Sequence, residues 1–152
     1  MHELVREQHF PVNRDTLWEF IARPENLDRI TPPDMRFSIL SPLPETMYTG
    51  LLIRYRIGLP MFGTREWVTE IKHIREGIAF VDEQRFGPYR FWYHYHEIRE
   101  EDGHAVMRDI VHYRLPFGVL GRLVHALVVR RMLGNVFDFR REKMAELFGT
   151  LA

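Results

Sequence analysis

The sequence predicts an α+β fold: a curved antiparallel sheet of seven strands around one long C-terminal helix, with two short helices after the first strand. Three observations predict it. Across residues 36–113 apolar side chains recur with period two, in runs separated by short Gly, Pro or polar turns. From Val119 to Phe148 the repeat lengthens to the roughly 3.6 residues of a helix. Ahead of both lies one strand-like run, followed by two short helical runs bounded by prolines.

Each element follows from local chemistry. Residues 3–10 alternate weakly and read as a strand that Pro11 ends. Asn13 then offers an N-cap, Asp15 falls in the first turn, and Leu17, Trp18, Phe20 and Ile21 follow at helical spacing. Pro24 lacks the donor that helix needs next, so it stops there, and residues 24–30 form a second short helix opened by the same proline. Thr31-Pro32-Pro33 closes it. Strands are expected at 37–40, 51–57, around Trp67–Ile71, and at 78–86, 89–99 and 104–115. The turns between them are Gly58–Gly63, Glu76-Gly77, Gly87-Pro88 and a polar loop at 100–103.

The final helix carries Leu120, Leu123, Val124, Leu127, Val128, Met132, Val136, Phe137, Met144, Leu147 and Phe148 on one broad stripe. Arg122, Arg130, Arg131, Arg140 and Arg141 lie largely off it. Its length would be about 45 Å, and Gly134 is expected to bend it. It is the only long amphipathic element available to cover the apolar face of the sheet. A twisted sheet curls, so a helix laid across it touches the middle and leaves space at the ends.

Composition narrows the function classes. A chain of 152 residues, 45% hydrophobic, suits one domain spanning 1–152 with a full core. It has no cysteine, which excludes disulfides, iron–sulfur clusters, thiolate zinc sites and a cysteine nucleophile. Twenty-one basic residues balance twenty-one acidic ones, giving no electrostatic footprint for nucleic acid. The N-terminus lacks the pattern of a signal peptide and no apolar run is long enough to span a bilayer, so a cytoplasmic location is expected. Eleven Phe, six Tyr and three Trp exceed what a core of this size normally needs.

The element order resembles a known group when read with four segments: Trp67-Val68-Thr69-Glu70-Ile71, Asp82-Glu83-Gln84-Arg85-Phe86-Gly87-Pro88-Tyr89, Trp92-Tyr93-His94-Tyr95-His96 and Tyr113-Arg114-Leu115-Pro116-Phe117-Gly118. The resemblance is to the START-like superfamily, also called SRPBCC or birch-pollen-allergen-like. Within it the chain is most similar to bacterial polyketide cyclase/dehydrase and coenzyme-Q-binding START-domain proteins. The resemblance implies a helix-grip fold whose cavity holds lipids, sterols, quinones, polyketides or plant hormones. A minority of the group are enzymes. It shares no universal catalytic residue, so no catalytic residue and no cofactor are assigned.

Strand alternation sorts the aromatic-rich segment at 89–99 into two sets, Trp92/His94/His96/Ile98 and Phe91/Tyr93/Tyr95/Glu97. Both carry rings, so periodicity leaves either face free to point inward; the resemblance selects the first. Neighbouring strands then add Ile53 and Tyr55, Trp67 and Thr69, Phe80, Asp82 and Gln84, and Asp109, Val111 and Tyr113. The expected binding site has walls from Trp18, Tyr55, Trp67, Phe80, Trp92 and Tyr113, with Leu120 and Leu127 from the helix. Asp82, Gln84, His94, His96 and Asp109 would orient a polar head. The competing packing is a solid, ring-filled core.

His94 and His96, two apart on a strand, share a face and could reach one metal with Asp82 or Asp109. With no cysteine and no helical histidine pair, a histidine–carboxylate hydrogen-bond network is expected instead, and no metal. The function expected is binding of a hydrophobic or amphipathic small molecule. The alternatives are a cofactor-independent cyclase or dehydratase using the same His and Asp residues, and a toxin-like protein-interaction module. No nucleic acid and no obligate protein partner is expected. The basic helix leaves room for transient membrane contact. The apolar turn Pro60-Met61-Phe62-Gly63 reads as a cavity mouth or a contact point.

Overall fold

A computed structural model describes residues 1–59 and 62–151. In chain order it contains β1 (His2–Phe10), α1 (Arg14–Ile21), two 3-10 turns (Pro24–Ile30 and Pro33–Met35), β2 (Ser38–Ile39) and β3 (Leu52–Leu59). Then come β4 (Gly63–Arg75), β5 (Ala79–Phe86), β6 (Phe91–Glu101) and β7 (His104–Arg114). A helical run ends the chain: α2 (Gly118–Val124), a π-helical stretch (His125–Val129) and α3 (Arg130–Phe148).

The seven strands form one antiparallel sheet in the order β1-β7-β6-β5-β4-β3-β2. Six of them make a meander, and β1 pairs back onto β7, as the predicted architecture requires. Asn13 caps α1 as expected, its Oδ1 accepting from the Thr16 N–H at 2.8 Å. The second short helix, at Pro24–Ile30, is 3-10 rather than α, and no side chain caps its first turn.

Two strand ends differ from expectation for identifiable reasons. The loop predicted at 100–103 shrinks to Asp102-Gly103, because both residues adopt positive φ (49° and 78°). That suits the tight hairpin turn whose twist matches the strands, so pairing runs on to Glu101 and His104. Strand β6 starts at Phe91 rather than at residue 89, because the Gln84 side chain clasps the backbone of Tyr89. Its amide donates to the Tyr89 carbonyl at 2.7 Å and its Oε1 accepts from the Tyr89 N–H at 3.1 Å.

Side chains from the end of the π-helical stretch and from α3 cover the concave face of the sheet: Val129, Leu133, Phe137 and Met144 are buried at helical spacing. The irregularity expected at Gly134 lies earlier, in the π-helical stretch. There His125 is tied to β7 and β1 at one edge of the sheet, with Nε2 2.8 Å from the Tyr113 hydroxyl and its ring stacked on His2 at 3.5 Å. A Cβ at Gly134 would meet nothing within 4 Å. Gly134→Ala is therefore expected to stabilise the protein by about 0.5–1 kcal/mol, read from urea or thermal unfolding. Among the described residues no helix is long and apolar enough to cross a membrane.

Candidate functional site

Sheet register builds the polar centre. Asp82 on β5 stands opposite His94 on β6, and His96 on β6 opposite Asp109 on β7. Because strand neighbours two apart share a face, the four side chains meet as a two-by-two cluster on the concave side. His94 Nδ1 lies 3.2 Å from Asp82 Oδ2 and its Nε2 lies 2.8 Å from Asp109 Oδ1. His96 Nε2 lies 2.7 Å from Asp82 Oδ2. Its Nδ1 is 2.9 Å from Asp109 Oδ1 but poorly aligned, so that contact is electrostatic rather than a formed hydrogen bond. The indole N–H of Trp92 donates to the other oxygen of Asp82 at 3.1 Å. Trp92, His94, His96 and Ile98 are all buried, so the inward face of this strand is the one the resemblance selected.

Electrostatics favour the charged forms of Asp82, Asp109 and His94. Burial alone raises the carboxyl of Asp82, but the charge of His94 and hydrogen bonds from both histidines carry it below the usual carboxylate range. Asp109 goes the same way, burial opposed by the hydrogen bond from His94 and the nearness of both imidazoles. Burial lowers His94, yet the charge of Asp82 and hydrogen bonds to both aspartates leave it above the ordinary imidazole value. Nearby, burial pushes the Tyr55 hydroxyl far up, with Asp82 adding to the rise and Arg140 opposing it.

Between sheet and helix the molecule encloses a cavity of about 170 Å³. That is far more than a water needs, so the interior is not the solid ring-filled core. Tyr55, Trp67, Phe80 and Trp92 wall it, and Asp82, His94 and His96 form one polar corner. The other expected residues lie elsewhere. Trp18 is buried, its N–H given to Glu76 at 2.8 Å. Gln84 is spent on the turn before β6, Asp109 stands behind the histidines, and Tyr113 is turned to His125.

Leu120 and Leu127 correct the expectation outright. They are 61% and 69% exposed, because the cavity is covered by α3 and not by the helix's first turns. The apolar turn is described only from Phe62 onward; Pro60 and Met61 lie outside the described residues, and Phe62 is exposed.

The sequence reading also missed Arg140, set among the solvent-facing charges. It lines the cavity, with its guanidinium 5.0 Å from the Phe137 ring centre, and among the described residues it makes no ion pair. The signal was present: Leu133, Phe137, Arg140 and Met144 follow one buried stripe. Outside the cavity runs a larger groove of about 660 Å³ between the helix and β3. Met35, Leu59, Met132 and Val136 line both spaces and form the partition between them.

No family model and no curated protein matches the chain. Solved structures do. A START superfamily protein from Mycobacterium smegmatis shares the fold with a TM-score of 0.70 at 11% identity, covering 97% of this chain and 99% of that one. Ginseng major latex-like protein 151 from Panax ginseng matches at 0.69 and 10% identity, with 97% of each chain covered. A nucleoside-diphosphate sugar epimerase from Corynebacterium glutamicum matches at 0.68 and 22% identity, covering 94% of this chain but 28% of its own. At these identities the likeness is one of fold: the chain has the START-like (SRPBCC) helix-grip fold.

Proposed function

We propose that the protein, as one START-like domain, binds a hydrophobic or amphipathic small molecule in the cavity between sheet and α3. The observation that carries this reading is an unfilled space of about 170 Å³ walled by aromatic side chains, with a polar corner. Folded interiors are otherwise close-packed, so a void of this size is costly unless a guest uses it. As it stands the space takes a single ring; ligand pockets for larger guests run to roughly 300 Å³ and above. Two of the four partition residues are methionines, whose unbranched side chains repack easily, so a tail attached to the ring can leave through the partition into the outer groove.

Native mass spectrometry of protein purified from cells is the test. A bound mass that denaturing solvent releases is expected; bare protein that also fails to bind single-ring aromatic probes would reject the reading. The subgroup likeness favours a quinone, lipid or polyketide-like guest, and extraction of the released mass distinguishes these.

A second reading is favoured by the position of Asp82, His94 and His96 on the cavity wall. Groups able to carry protons beside a bound guest suit a cyclase or dehydratase. Under that reading His94→Ala abolishes turnover while affinity for the guest persists. Under pure binding, affinity alone changes.

Transient membrane contact is supported by the exposed first turns of the helix, where Phe117, Val119, Leu120, Leu123 and Leu127 lie beside Arg122. Co-sedimentation with anionic phospholipid vesicles is expected, and Leu120→Glu should reduce it. Equal recovery with and without vesicles removes this element of the proposal.

A further inference from the structure

The geometry points to a mononuclear site for a divalent transition metal, Zn²⁺ or Fe²⁺, held by His94 Nδ1, His96 Nε2 and Asp82 Oδ2 at the polar corner of the cavity. This revises the expectation, drawn from sequence, that no metal is present. It does not depend on whether the cavity takes an organic guest.

Each of the two imidazoles presents both ring nitrogens to carboxylate oxygens, in four contacts of 2.7–3.2 Å. A carboxylate only accepts, and a neutral imidazole has one N–H to give. If the N–H groups face Asp109, two bare nitrogen lone pairs and an oxygen lone pair converge at Asp82 Oδ2. One dication placed at that junction satisfies all three atoms and leaves the buried cluster with zero net charge, as two further protons would.

Two protons would make both rings imidazolium, with centroids 3.7 Å apart, where like charges repel. A dication leaves both rings neutral. The three donor atoms all lie within 4.8 Å of one another. Around a tetrahedral ion with bonds of about 2.0–2.1 Å, donor atoms stand about 3.4 Å apart. The observed 3.2 and 2.7 Å edges therefore need to open by about 0.2 and 0.7 Å.

The surroundings are those a metal site uses. Asp109 faces the remote nitrogen of each histidine, fixing ring orientation and, for His94, the tautomer. Trp92 holds the spare oxygen of Asp82, which turns the other toward the junction. No arginine or lysine among the described residues forms an ion pair with either aspartate. All three donor residues line the cavity and Asp109 does not, so an open coordination position faces the apolar space. Two histidines and one carboxylate with open positions are the donor set of catalytic zinc and non-haem iron.

The test uses the whole protein, dialysed against chelator and then titrated with Zn²⁺ alone, with Fe²⁺ alone under anaerobic conditions, and with Co²⁺ as a spectroscopic probe. One ion per chain, a raised unfolding temperature and the visible bands of low-coordinate Co²⁺ are expected. Asp82→Asn and His96→Gln should abolish uptake, and Asp109→Asn should weaken it about 10–100-fold. His104→Gln is the control, because His9, Glu101 and His104 form a second, exposed cluster on the β6–β7 hairpin side. Uptake that is lost with His104→Gln but survives Asp82→Asn overturns the proposal. So does chelator-treated wild-type protein that takes up no stoichiometric metal and melts unchanged in its presence, a result that needs no variant to fold.

Discussion

Asp109→Ala is expected to cost about 3–5 kcal/mol of stability, because it leaves buried charge without its partner. Asp109 is buried behind the histidines, where it accepts from His94 at 2.8 Å and lies 2.9 Å from His96. Removing it strands the remote nitrogen of His94 in the buried interior without its partner. Chemical denaturation of the variant beside wild type reads the loss directly. A change below about 1 kcal/mol would show the cluster to be hydrated and its geometry unimportant to folding.

The same cluster gives the metal-free protein a two-sided pH dependence. The folded-state values of Asp82 and Asp109 are depressed, so their stabilising contribution is present above the ordinary carboxyl value of 3.8 and is lost as pH falls below it. The folded-state value of His94 is raised, so its contribution is complete below the ordinary imidazole value of 6.5 and is lost as pH climbs through the raised one. Stability should therefore plateau between those two ordinary values and decline on both sides. His94→Gln is expected to flatten the alkaline decline. Unfolding midpoints measured from below the ordinary carboxyl value to well above the ordinary imidazole value in chelator-treated protein check both limbs.

Much of this architecture is legible in the sequence because period two and period 3.6 are local signals. The strand pattern through Ile53-Arg54-Tyr55-Arg56-Ile57 needs only neighbours to be read, and so does the cap at Asn13. The inward face of β6 was harder, since Trp92 and Phe91 are equally apolar and only long-range pairing with β5 and β7 decides between them. Leu120 and Leu127 were misplaced because periodicity gives the direction of an apolar stripe but not whether anything lies beneath it. Their turns precede the stretch that returns the helix to the sheet, and that stretch depends on His125 meeting Tyr113 and His2 from distant strands. Arg140 was missed for the opposite reason: a charged side chain on a buried stripe looks like an interruption until a cavity is found beside it.

Leu133→Trp is expected to close the binding site. Leu133 is buried on α3 and lines the cavity opposite the aromatic wall, so an indole there has the void to enter. Overpacking a filled core costs about 1–3 kcal/mol, whereas a ring received by empty space should cost less. Affinity for a single-ring amphipathic probe such as p-cresol, measured by calorimetry, should fall at least about tenfold, equivalent to about 1.4 kcal/mol. Leu133→Ala supplies the converse. Its loss of about 2–5 kcal/mol comes with an enlarged cavity, so it should accept bulkier rings that wild type refuses. If both variants bind the probe as wild type does, the guest lies elsewhere, and the outer groove beyond Met35 and Met132 becomes the place to seek it.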